Sequence, residues 1–142
     1  MKILYLCADR GISLAKHNGA TAHFRSLVTS FTRLGHEVLV LTPSEIPEGV
    51  LPAPAERIGS PKVLDYLLAE AEKPVPRPEK ERQRRRKRVV HALGHAWNNV
   101  MTEQALEAIV PRFRPDLVFE LYSPYGVAGP VTCARLGVRH VL

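Results

Sequence analysis

No apolar run in the 142 residues approaches the roughly 20 needed to cross a bilayer. The opening segment Met1–Cys7 is too short for the apolar region of a secretory signal. The chain therefore reads as soluble and cytoplasmic. Cysteine is scarce: Cys7 and Cys133 stand near opposite ends, with no C-x-x-C and no neighbouring histidine pair, so neither a disulfide nor a metal is expected and both read as buried thiols. No G-x-G-x-x-G follows the first apolar segment, since bulky residues separate Gly11 from Gly19, which excludes the dinucleotide fingerprint. A Walker A motif is missing as well, and no Ser/His/Asp or Cys/His grouping falls at the ends of the expected strands. No internal repeat is present, and no cofactor is expected.

What remains is ordinary globular composition, 45% hydrophobic and 24% charged, in a length that suits one domain with its own core. Lys2-Ile-Leu-Tyr-Leu-Cys7 is a buried first strand, central in its sheet, and Ala8 to Asn18 a long loop. From Gly19 the period becomes helical. Ala20, Phe24, Leu27, Val28, Phe31 and Leu34 share a face, Asn18 is a suitable N-cap, and Gly35 sits where a left-handed C-terminal cap is wanted. Glu37 to Thr42 is a second strand, closing a right-handed βαβ unit.

Prolines at 43, 47, 52, 54 and 61 leave room for no more than a short edge strand around Glu56 to Gly59. Val63 to Glu72 is a short helix, broken by Pro74, Pro76 and Pro78. A long helix begins at Glu79 and stops before Pro115, with Val89, Leu93, Trp97, Met101, Ala105 and Ile109 forming a stripe expected to pack on a sheet face. Asp116 to Glu120 is a strand, Tyr125 to Leu136 a helix ended by Gly137, and Val138 to Leu142 a further strand start. The pattern is α/β: a Rossmann-like open parallel sheet with helices on both faces. Because the chain ends inside its last strand, it reads as a truncated piece of a longer protein.

In such a sheet ligands bind beyond the carboxyl ends of the strands, at the point where strand order reverses. That edge is built here by Ala8 to Asn18 and by Glu120 to Pro124. The helix opening at Gly19 aims its free N–H groups at the crevice and so forms a generic anion site. Gly19 would let a phosphate approach the backbone, with Ala20 and Thr21 adding little bulk, although it reads equally as a plain helix start.

Five segments, in order along the chain, carry a family resemblance. Lys2-Ile-Leu-Tyr-Leu, Asn18-Gly-Ala-Thr-Ala-His-Phe-Arg25 and Leu34-Gly-His-Glu-Val-Leu-Val-Leu-Thr-Pro43 resemble the start of the family 4 glycosyltransferases. Arg114-Pro-Asp-Leu-Val-Phe-Glu-Leu-Tyr-Ser123 and Ala134-Arg-Leu-Gly-Val-Arg-His-Val-Leu142 are similar to a later part of the same domain. The resemblance skips the middle of the chain. It implies that residues 1–142 are the amino-terminal, acceptor-side half of a GT-B fold, with the carboxyl-terminal nucleotide-sugar-binding domain absent. The implied activity is sugar transfer from a nucleotide-sugar to an acceptor, with retention and without a metal. Asn18, Gly19 and Ala20 would then meet the donor diphosphate, and His17, His23, Glu120 and Tyr122 would line the acceptor side. Asn18 stands where the family often has a glycine, and Glu120 and Tyr122 where many members have histidine. His23 reads also as a packed or surface histidine, and Glu120 as a solvated strand-end carboxylate.

The net charge of +6 is concentrated: Arg82, Arg84, Arg85, Arg86, Lys87 and Arg88 fall in one short window and point all around a helix. A solvated helical extension accounts for them. The alternative function is a non-catalytic binding module that sets this cluster on an anionic membrane or an acidic partner. Nucleic acid is not expected, since no aromatic interleaving or recognition motif accompanies the charge.

Overall fold

The structure, a computed structural model, describes residues 1–16, 18–60, 62–74 and 79–142, with only the backbone described at Val63 and Leu64. β1 (Lys2–Leu6) lies at the middle of a five-stranded, all-parallel sheet. On one side it pairs with β2 (Glu37–Thr42), Leu4 opposite Leu39; on the other it pairs with β4 (Leu117–Glu120), Leu4 opposite Val118. The edges are β3 (Ala55–Arg57) and β5 (His140–Val141), which gives the order β3-β2-β1-β4-β5. The doubly wound sheet expected from the sequence, with its first strand central, is what forms.

Two-residue periodicity sorts β1 between two cores. Leu4, Leu6 and Ala8 pack with Leu39, Leu41, Val118, Leu106, Ile109 and Cys133 on one face. Tyr5 and Cys7 pack with Val38, Val40, Phe24 and Val28 on the other. The second core belongs to α1 (Gly19–Arg33), where Tyr5 meets Phe24 at 4.9 Å between ring centroids and stacks on Phe119 at 5.6 Å. The first belongs to α3 (Lys80–Phe113) and α4 (Ala128–Leu136), while α2 (Lys62–Glu72) packs against α3. Both thiols are buried, and burial pushes Cys7 up to about 12 and Cys133 up to about 11, so each stays protonated.

The caps of α1 form as expected. Asn18 Oδ1 accepts the Thr21 N–H at 2.9 Å. At the other end Gly35, at φ 79°, lets the Gly35 and His36 amides reach back to the Thr32 and Phe31 carbonyls, and Gly137, at φ 68°, repeats that turn after α4. The inward face of α1 is narrower than its apolar pattern suggests, because Ala20 and Leu34 are exposed and Thr21 is buried instead. Thr21 Oγ1 donates to the Ser13 carbonyl at 2.9 Å, and the Arg25 guanidinium donates to the Leu14 carbonyl, so this face holds the β1–α1 loop rather than the sheet alone.

The larger correction falls on α3. Val89, Leu93 and Trp97, expected against the sheet, are 60%, 55% and 45% exposed. The buried line runs one residue later, through Val90, Gly94, Asn98, Thr102 and Leu106. The partners of the helix explain the shift. Its first half meets α2 and the β1 loop, where small or hydrogen-bonding groups fit: a Cβ on Gly94 would sit 3.8 Å from Leu68 Cδ2, and Asn98 Nδ2 donates to the Ala8 carbonyl at 2.7 Å. From Met101 onward α3 reaches the aliphatic core, where Met101, Ala105 and Ile109, the later part of the expected stripe, do pack. The remaining elements start or stop within a few residues of expectation, α4 beginning at Ala128 rather than Tyr125. Pro61, Pro76 and Pro78 lie outside the described residues.

Removing the Asn18 cap by Asn18→Ala should cost about 1 kcal/mol of folding stability, measured by chemical denaturation. An unchanged midpoint would mean that the α1 start is held by Thr21 and Arg25 alone.

Candidate functional site

Strand order reverses between β1 and β4, and two hollows open at that carboxyl edge. The first, of about 350 Å³, lies at the start of α1 and is lined by Lys16, Asn18, Gly19, Thr21, Ala22 and Arg25. The amides of Gly19 and Ala20 belong to the first turn, which helix geometry leaves without intrahelical acceptors, and the positive end of the α1 dipole points the same way. Gly19 is exposed and nothing lies within 4 Å of where its Cβ would be. Lys16 and Arg25 add two cations that the sequence reading had not assigned to this place.

The second hollow, of about 530 Å³, lies between the loop after β1 and the α2–α3 pair. Its polar lining includes Asp9, Arg10, Glu72, His91, His95, Asn98 and Ser123. Arg10 is itself tied to Asp65 and Ser60, and His91 Nε2 lies 3.2 Å from Glu72 Oε1. Asn98 anchors the floor through its bond to Ala8. Asn99 anchors the turn before α4: Nδ2 donates to the Tyr125 carbonyl at 2.9 Å, and Oδ1 accepts the Val127 and Ala128 amides at 2.9 and 3.1 Å. His91, His95 and Asn98 were not singled out from the sequence. Their signal was present as a polar i, i+4, i+7 series within an otherwise apolar helical stretch.

The residues expected at the site are only partly brought together. Asn18 and Gly19 line the first hollow, and Ala20 is exposed beside them. Tyr122 is 69% exposed next to Ser123 of the second hollow. His23 is exposed on α1 and lines neither of these hollows. His17 lies outside the described residues.

Glu120, expected to face an acceptor or solvent, is instead 2% exposed. Its Oε2 lies 2.7 Å from His140 Nε2 on β5. The carboxylate tucks beneath the first turn of α4, where a Cβ on Gly129 would come within 1.8 Å of Oε2 and 3.1 Å of His140 Nε2. Burial raises the Glu120 carboxyl above the usual range, and the His140 hydrogen bond and charge offset that only in part. As placed, this group holds β4, β5 and α4 together and is closed to a ligand. Among the described residues no group of three or more His, Cys, Asp or Glu is placed to hold a metal ion, and no helix is long and apolar enough to cross a membrane.

No family model matches the sequence, and no curated protein matches it. Solved structures do match in fold. One is SsfS6, a glycosyltransferase of Streptomyces sp. SF2575, at 22% identity and a TM-score of 0.56. The likeness covers 99% of this chain and 38% of the other, so the chain spans well under half the length of the matched protein. The chain has a glycosyltransferase-like α/β fold. At that level of identity the likeness concerns the fold, and the chemistry has to be argued from the sheet edge.

Two variants probe the buried pair. In the native state Glu120 holds its proton more tightly than in the unfolded chain, so its burial costs stability increasingly as pH rises from the ordinary 4.5 through its raised value. Glu120→Gln removes that cost. The difference in Tm between variant and wild type should shift in favour of the variant from about pH 4 to about pH 7, and a flat difference would contradict the assigned direction. Gly129→Ala must displace a carboxylate locked onto His140 and should destabilise by about 2 kcal/mol, with a smaller cost in a Glu120→Ala background.

Proposed function

We propose that the chain is the acceptor-side half of a retaining, metal-independent glycosyltransferase of the GT-B kind, which moves a sugar from a nucleotide-sugar to an acceptor. The observation that carries this reading is the pairing of two sites on one sheet edge. A glycine-headed helix start flanked by Lys16 and Arg25 suits a diphosphate, and beside it lies a larger polar hollow suited to hydroxyl groups. The fold likeness to a glycosyltransferase supports it.

In this reading Asn18, Gly19 and Ala20 meet the donor diphosphate through backbone amides, and the two cations offset its charge. The acceptor occupies the Asn98–Ser123 hollow, with Tyr122 on its rim. Glu120 shapes the β4–α4 turn from within and does not touch the sugar. Transfer needs donor and acceptor enclosed together, so the nucleotide is assigned to a second domain facing this edge. The protein is assigned to the cytoplasm, where nucleotide-sugars are made.

An exposed helix terminus contributes only ~0.3 to 1 kcal/mol toward an anion, so residues 1–142 alone should bind UDP no tighter than about millimolar and transfer no sugar. Titration with UDP, followed by amide chemical shifts, should move Gly19, Ala20 and Thr21. Gly19→Val should abolish those shifts without unfolding the chain, because the space around Gly19 is open. In a protein that carries the second domain the same substitution should abolish turnover. Shifts confined to Arg82–Arg88, or turnover by residues 1–142 that tolerates Gly19→Val, would overturn the assignment in favour of a binding module or a different active site.

A further inference from the structure

Between Arg82 and Thr102 the sequence contains no aspartate or glutamate. Along this part of α3, Arg82, Arg86, Val89, Leu93, Trp97 and Val100 fall within about 80° of arc at ~100° per residue. All six are exposed, the four apolar ones at 60%, 55%, 45% and 43%. At the basic end Arg82, Arg86 and Val89 also border a hollow shared with Glu70 and Lys73 at the end of α2 and with Glu79; the other partners of the helix lie elsewhere around it, where Lys87 and His91 meet Glu72, Gly94 faces Leu68, and Asn98 bonds to Ala8. Of the acids nearby, Glu72 is engaged by Lys87 and His91, Glu81 by Arg85, and Glu70 by Lys73. The result is a face that runs from arginine to aliphatic and aromatic side chains, to which α3 itself contributes no acidic residue between Arg82 and Val100.

We propose that this face docks on an anionic lipid bilayer, with α3 lying in the plane of the interface. Arg82 and Arg86 would sit among headgroup phosphates, and Val89, Leu93, Trp97 and Val100 at the boundary with the acyl chains, over about 16 Å of helix. Charge complementarity and the apolar line together select this occupant. A hydrated nucleic acid backbone satisfies the arginines and leaves the four apolar side chains in water. A second copy of the face covers the apolar line only by bringing arginines against arginines or against aliphatic groups. A lipid surface offers phosphate and hydrocarbon at adjacent depths, and tryptophan favours the level between them. The inference stands on α3 alone and does not depend on the proposed sugar transfer.

Trp97 is the only tryptophan in the chain, so its fluorescence reports on this face and nothing else. The experiment is sedimentation of the protein with phosphatidylcholine vesicles, with and without phosphatidylglycerol, together with Trp97 emission spectra and quenching by brominated lipid. Binding is expected only with phosphatidylglycerol, accompanied by a blue shift and by quenching. Arg82→Gln with Arg86→Gln should weaken partitioning about 30-fold. Leu93→Ser, at an exposed position where circular dichroism will confirm the fold, should weaken it about tenfold and reduce the shift. Four outcomes would overturn the proposal. They are no binding at physiological salt, binding with Trp97 emission unmoved, a blue shift that depends on protein concentration without lipid, and tighter binding to polyuridylate RNA than to the vesicles.

Discussion

Burial of β1 on both faces is the constraint from which the other features follow. Leu4 and Leu6 on one side and Tyr5 and Cys7 on the other are fully enclosed, and a five-residue strand can achieve that only with a strand on each flank and a helical layer on each face. Once β1 is central, its carboxyl end becomes the reversal point of the sheet. The loop that follows must then lie over that edge. Thr21, Arg25 and Asn98 fix the loop by hydrogen bonds to the carbonyls of Ser13, Leu14 and Ala8, so the hollows beside it have firm walls. The position of the candidate site is thus a consequence of how the first strand is packed.

The features legible in the sequence were those set by near neighbours in the chain. The β1 run, the Asn18 cap and the glycines that end α1 and α4 are local matters of propensity and backbone conformation, and each formed where its residues indicated. Long-range pairing was less accessible. Nothing around Glu120 announces that its partner is His140, twenty residues on, or that Gly129 leaves the space for it. The α3 stripe misled for a definable reason. Ranking by hydrophobicity placed Leu93 and Trp97 inward, whereas the neighbours of that half of the helix, α2 and the Ala8 carbonyl, call for Gly94 and Asn98.

The same distinction explains the site. The place of Gly19 and Asn18 at the sheet edge was legible because a helix start advertises itself. His91, His95 and Asn98 were passed over because they come to line one hollow only when α3 crosses the end of β1. Lys16 and Arg25 were unremarkable basic residues until the loop folded back and set both beside the α1 amides. A polar series at helical spacing that ends on the buried Asn98 is the signal that would have pointed to this hollow.

The length of α3 has a consequence for the local stability of the domain. Its 34 residues span about 51 Å, and its two ends live in different surroundings. Leu106, Ile109 and Val110 are held in the main core, so the last turns can open only when the whole domain does. From Lys80 to Arg88 the helix has little buried apolar area and carries adjacent like charges, only some of them paired, which lowers the cost of fraying. Amide hydrogens along this single helix should therefore exchange over a graded range of rates, fast at the basic end and slow at Val110. A partner that takes hold of the basic end would flatten the gradient by removing the fast-exchanging turns, without altering the core at all.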